Sequence, residues 1–137
     1  MADIETGIYA HLYADATVLA LVSTRIYPLA VPQTGSFPAI TYQRISGSHV
    51  RSHSGPSGLS VARYQLTCWA STYAGAKALA EAVREAMDAV SGTWNSIAVG
   101  ASFLDSDGDT EQLTPASDTR TYGVRQDYEI HYAESTP

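Results

Sequence analysis

The chain has 137 residues, enough for one domain with its own core, and 45% hydrophobic against 16% charged residues excludes an intrinsically disordered chain. Fourteen acidic residues against eight Lys and Arg give a formal charge of −6, which argues against a surface built to grip nucleic acid backbone. A basic segment followed by an apolar one is missing at the N-terminus, and so is any run as long as a membrane span. The expectation is a soluble protein made in a cytoplasm, with no membrane partner.

Asp3 is placed to cap a first helix over Ile4 to Val22, in which Ile8, Leu12, Ala16, Leu19 and Val22 form one apolar stripe. Gly7 and Thr17 weaken this helix locally, and Tyr9 and Tyr13 stand four apart on a neighbouring face. Pro28, Pro32 and Pro38 then forbid a helix or central strand, so residues 25–38 read as an extended arm that includes Val31, Gln33 and Phe37. From Ala39 to Ile45 the residues are β-branched and aromatic, which predicts a strand that Ser46 and Gly47 close.

Residues 47–58 hold four serines, three glycines and a proline. They read as a mobile loop containing His49, Val50, Arg51 and His53. The two histidines are four apart, but with no helix and no carboxylate or cysteine nearby a metal site is not expected. Leu59 to Ala70 predicts a strand with Ala62, Tyr64, Leu66 and Cys68 on one face and Arg63, Gln65, Thr67 and Trp69 on the other. Cys68 is the single cysteine and reads as a small buried hydrophobe, while Trp69 is either a lid on the core or an anchor for a neighbouring subunit.

Ser71 or Thr72 caps a second predicted helix over Ala74 to Val90, with Gly92 as its C-cap and Lys77, Glu81, Arg84, Glu85 and Asp88 on its solvated face. Trp94 to Leu104 and Thr110 to Leu113 predict two short strands around an Asp-Gly turn in residues 105–109. That acidic run does not fit a calcium loop, because its glycine is at the fourth position and Ala116 occupies the twelfth. Tyr122 to Tyr132 is the last predicted strand, with Arg125, Asp127, Glu129 and His131 on its polar face, and residues 133–137 read as a frayed tail. Together these elements predict a single domain over 1–137 of the α+β class. The expected form is a two-layer sandwich, a mostly antiparallel sheet with two helices packed on one face. Its other face carries Thr41, Gln43, Arg63, Gln65, Thr67, Arg125, Asp127, Glu129 and His131.

No nucleophile elbow, phosphate loop or His-Glu-x-x-His pattern is present, and Cys68 and His131 are expected on opposite faces, so no enzyme, cofactor or metal is predicted. The ordered series RIYP, PQ, FPAITYQRISG, YQLTCWA and TYAGAKALAEAV resembles a family of small proteins from Ile4 to Tyr132. These are the tail-completion, or tail-terminator, proteins of long-tailed phages and gene transfer agents. The resemblance implies a structural virion protein at the head-proximal end of the tail. Its copies are expected to form a homo-oligomer, usually a hexameric ring, that caps the tail tube protein and joins the tail to the head connector or stopper. Genome DNA passes through such a ring without specific binding. The expected partner contacts are Val31, Gln33 and Phe37 in the arm, and His49, Val50, Arg51 and His53 in the loop. On the sheet they are Arg63, Trp69, Arg125, Asp127 and Glu129. A head-side neck or stopper component is the alternative within that class, and a monomeric binding module or enzyme using the polar face is the alternative outside it.

Overall fold

A computed structural model describes residues 4–31, 37–52, 55–94, 97–114 and 119–133, with side chains described outside 48–59 and 111–120. Gln33, His53 and the frayed tail from 134 on lie outside the described residues, as does Asp3. The described part has three helices and six strands: α1 (Ile4–Ala14), α2 (Ala16–Val22), β1 (Ile26–Pro28), β2 (Ala39–Ser52), β3 (Gly55–Ala70), α3 (Tyr73–Met87), β4 (Val90–Trp94), β5 (Ile97–Thr114) and β6 (Thr119–Ala133). The strands form one mixed sheet in the order β1-β2-β3-β6-β5-β4. Only β1 pairs in parallel, along β2, and the other pairings are antiparallel.

The predicted first helix is two helices. Asp15 leaves helical geometry, and its carboxylate accepts from the Thr17 and Val18 N–H groups at 3.0 Å, as an N-cap does. The break resets the helical phase, so Val18 and Val22 are buried while Ala16 and Leu19 face out. Gly7 has a positive reason to be glycine, because a Cβ there would come within 2.9 Å of the Trp94 carbonyl. The close approach lets His11 stack on Trp94, ring centroids 4.2 Å apart, and donate from Nε2 to the Ala86 carbonyl at 2.7 Å.

Thr72, one of the two expected caps, accepts from the Gly75 N–H at 3.0 Å to start α3. The helix stops at Met87, earlier than expected, because Ala89 takes the left-handed conformation (φ 54°), and Gly92 belongs to β4. Two stretches read as turns or loops are strand instead. Residues 47–52 and 55–58 continue a hairpin whose pairing runs out to Ser52 opposite Gly55. Residues 105–109 pair along β6, with Gly108 opposite Arg125. A long partner strand offers each backbone group a ladder bond, and that outweighs a local Asp-Gly or Ser-Gly turn preference.

The helices cover the face carrying Ala62, Tyr64, Leu66, Cys68, Val124, Tyr128 and Ile130. Tyr64 and Tyr128 stand opposite each other in the two central strands, both with no exposed surface. The Tyr64 hydroxyl donates to Glu5 of α1 at 3.1 Å. The Tyr128 hydroxyl donates to Gln126 Oε1, and Gln126 Nε2 donates to the Ala80 carbonyl of α3, each at 2.9 Å. Gln126, which breaks the apolar series of the last strand, is thus the buried link between sheet and helix.

Replacing Gln126 with Leu leaves a buried hydroxyl without its acceptor, and we expect a loss of about 1–3 kcal/mol in urea unfolding. Burial pushes both tyrosine hydroxyls well above the ordinary tyrosine pKa. Their protonated forms therefore support the fold below about pH 10, and stability should fall above that by about 1.4 kcal/mol per pH unit for each tyrosine. Unfolding curves from pH 8 to 11 check this, and Tyr128→Phe should make the fall shallower.

Candidate protein-contact face

The opposite face of the sheet is where the expected contact residues gather. Strand alternation puts Arg63 and Trp69 of β3 on it, and the register sets them beside Glu129 and Gly123 of β6, with Asp127 and Arg125 in the same row. The charges are wired across strands. Arg63 ion-pairs with Asp105 of β5, reaching over β6, because an extra residue in β5 between Leu104 and Ser106 re-aims that carboxylate. Asp127 accepts from Gln65 Nε2 on one side and Ser106 Oγ on the other, each at 3.1 Å, so it joins β3 and β5. Glu129 has His131 at 3.7 Å, and the His131 ring meets Phe103 edge-on at 6.3 Å.

Trp69 is half-buried and fixed in place on this face. Its indole N–H donates to Thr41 Oγ1 at 3.0 Å, and its ring lies so close over Gly123 that a Cβ there would come within 2.9 Å. Thr41 and Thr67 are buried beside it, so this end of the face is covered. Arg125 lies between two shallow depressions of about 120 and 190 Å³. Gly108 opposite it leaves room for the guanidinium, since a Cβ would sit 3.2 Å from it.

The arm residues reach the same sheet at its β1 edge. Arg25 clamps the arm's two ends, donating from Nε to the Pro38 carbonyl at 2.7 Å and from a terminal nitrogen to the Leu21 carbonyl at 3.2 Å. Val31 is half-buried, Phe37 is exposed, and Leu29 is 71% exposed in a left-handed conformation (φ 67°). The Phe37–Pro38 peptide bond is cis. His49, Val50 and Arg51 lie on the outer part of β2, where the backbone pairs with Ser60, Leu59 and Pro56. Of the three groups of expected contact residues, one lies on the sheet face, one extends from the sheet as a hairpin, and Val31 and Phe37 lie in the connection between β1 and β2.

Lys77, expected only as a solvated charge, instead donates to Asp109 Oδ1 at 2.6 Å, while Tyr73 donates to Oδ2 at 2.8 Å. The helix spacing gave no signal of this, because the partner is on β5, far along the chain. Among the described residues no group of His, Cys, Asp and Glu is placed to hold a metal ion. Cys68 has no exposed surface, and burial pushes its thiol far above the usual range.

The hydrogen bonds from Lys77 and Tyr73 hold Asp109 below the usual carboxylate range. Its contribution is present above the ordinary aspartate pKa of about 4 and is lost as pH falls through the lower folded value. Asp109→Asn should therefore lower stability near pH 7 and flatten the acid limb of the stability–pH curve below about pH 4, so that the two curves converge at low pH.

Two comparisons bear on identity. A chain of the virion of the native gene transfer agent particle has the same fold: TM-score 0.64 at 20% identity, covering 92% of this chain and 91% of that one. No curated protein matches the sequence. The family model described as "Tail completion protein gp17" matches residues 6–133, nearly all of the chain. The chain belongs to that tail completion family, whose members are structural parts of phage tails and not enzymes.

Proposed function

We propose that copies of this chain close into a hexameric ring that caps the tail tube, ends its polymerisation and presents its other side to the head connector or stopper. The observation that carries the reading is family membership over residues 6–133, which makes the chain a structural tail component. Ring closure by heterologous contacts turns many weak interactions into one stable assembly. A subunit charge of −6 fits a ring through which genome DNA passes without sticking. The ring would sit at the head-proximal end of the tail and be assembled in the host cytoplasm.

The surfaces assigned to contacts are the arm at Val31 and Phe37, the outer hairpin at His49, Val50 and Arg51, and the face of Arg63, Arg125, Asp127 and Glu129. The cross-strand wiring of that face favours this use, since Arg63–Asp105 and Asp127 with its two donors hold charges in fixed positions for a partner. The ligand-pocket alternative is disfavoured by size. The depressions that polar-face residues line, of about 120, 190 and 270 Å³, fall below the roughly 300 Å³ at which small-molecule sites begin.

The test is the mass of the purified protein, alone and mixed with its tail tube protein, with negative-stain images of both. Rings, free or on tube ends, are expected. Replacing residues 47–58 with a short Gly-Ser connection should abolish capping while the core still melts cooperatively. A strict monomer that never joins tubes and leaves tube length unchanged overturns the proposal.

A further inference from the structure

The sheet has two uncovered edges. β1 pairs with β2 only at Ile40, Thr41 and Tyr42, so among the described residues β2 has no outer partner from Gln43 to Ser52. β4 pairs with β5 only as far as Ser102, so β5 is likewise uncovered from Phe103 to Thr114, apart from the Leu104 N–H, which donates to Asp88 at 2.9 Å. Long open edges expose rows of backbone donors and acceptors and invite strand addition.

The two edges carry opposite charge. Residues 43–52 include Arg44 and Arg51 and no carboxylate, whereas residues 103–114 include Asp105, Asp107, Asp109 and Glu111 and no Lys or Arg. Charges on an edge strand ordinarily serve to keep it unpaired. Here each edge has a single sign, so an edge meets repulsion from its own copy and attraction from the other edge. Asp105 and Asp109 are partly neutralised by Arg63 and Lys77, which leaves the exposed Asp107 as a carboxylate free of those ion pairs. The register puts Arg44 beside Tyr64 and Asp107 beside Gln126, both on the helix-covered face. Each edge also has an exposed apolar residue, Ile45 on β2 and Phe103 on β5, each 46% accessible.

Direction agrees as well. β2 and β5 are antiparallel to each other within the sheet, because three antiparallel pairings separate them. A neighbour placed by rotation about an axis to which the strands are tilted, as in any closed sheet, therefore sets its β2 antiparallel to this chain's β5. The two open stretches lie at opposite ends of the sheet. Gln43 is level with Ser106 through Gln65 and Asp127, and Gly47 is level with Ser102 through Ala62 and Ile130, so β2's open stretch runs away from β5's. Pairing them shifts each copy along the strands, which is the stagger that strands tilted to the ring axis supply in a closed sheet.

We infer that the contact between copies is sheet continuation: the basic β2 edge of one subunit adds antiparallel to the acidic β5 edge of the next. This rests on the ring reading above and names its interface. Such a contact is heterologous and, once closed, covers both open stretches in every subunit.

The test uses the full chain, alone and on tail tubes, by hydrogen exchange and by charge reversal. In assembled rings, amides of 43–52 and of 103–114 should exchange at least about 10-fold more slowly than in monomers. Arg44→Glu and Asp107→Arg should each weaken self-association at least about 10-fold. An equimolar mixture of the two variants should recover it, since alternating subunits restore attraction at every junction of an even-numbered ring. Melting curves establish that each variant is folded. Rings whose two edges gain no protection overturn the pairing and leave the ring reading intact, as does a folded-variant mixture no better than either variant alone. Protection that arises from tube protein without self-association assigns the edges to the tube and also overturns it. A chain that never self-associates overturns both.

Discussion

Two tyrosines set the terms of this fold. Tyr64 and Tyr128 face each other across β3 and β6 with no exposed surface, so each hydroxyl needs a partner inside the protein. One partner comes from each side of the helical layer: Glu5 from α1, and Gln126 bound to the Ala80 carbonyl of α3. The apolar rings supply burial without direction, and the hydroxyls add direction, fixing where each helix sits on the sheet. Arg44 extends the arrangement to the edge, with its guanidinium 5.5 Å from the Tyr64 ring centre and 3.4 Å from the Tyr132 hydroxyl.

The same level of the sheet is where both outer strands are irregular. β2 gains Ile45 between partners of Tyr64 and Arg63, and β5 gains Asp105 between partners of Tyr128 and Asp127. Extra residues bend a strand and turn its side chains. One of them sends Asp105 across β6 to Arg63, and the other leaves Ile45 exposed. The packed centre and the uncovered edges are thus adjacent parts of one device. The tyrosine layer makes the middle rigid, while the edges past the bulges keep their charge and backbone groups available.

The hairpin of β2 and β3 and the acidic part of β5 show where local reading fails. Ser-Gly-rich residues 47–58 and the Asp-Gly of 105–109 have strong turn preferences, worth at most a few kcal/mol. Each stretch lies against a partner strand already in register, so the ladder continues through 47–52, 55–58 and 105–109. The Asp15 break was legible in principle, because Asp followed by Ala, Thr and Val has the form of a helix start. The apolar spacing on either side hid it by imitating one continuous stripe.

The sequence by itself determined the class of the protein and the two faces of its sheet. Period-two alternation in 59–70 and 122–132 put Tyr64, Cys68, Tyr128 and Ile130 inward and Arg63, Asp127 and Glu129 outward, and the structure has them so. Such patterns are local, and burial acts on each residue wherever its strand ends up. Only the tertiary structure decided which charge meets which, as with Arg63 and Asp105 or Lys77 and Asp109. It alone also decided which strands end the sheet. Those outcomes depend on strand order and on one-residue bulges, and neither leaves a periodic trace in the chain.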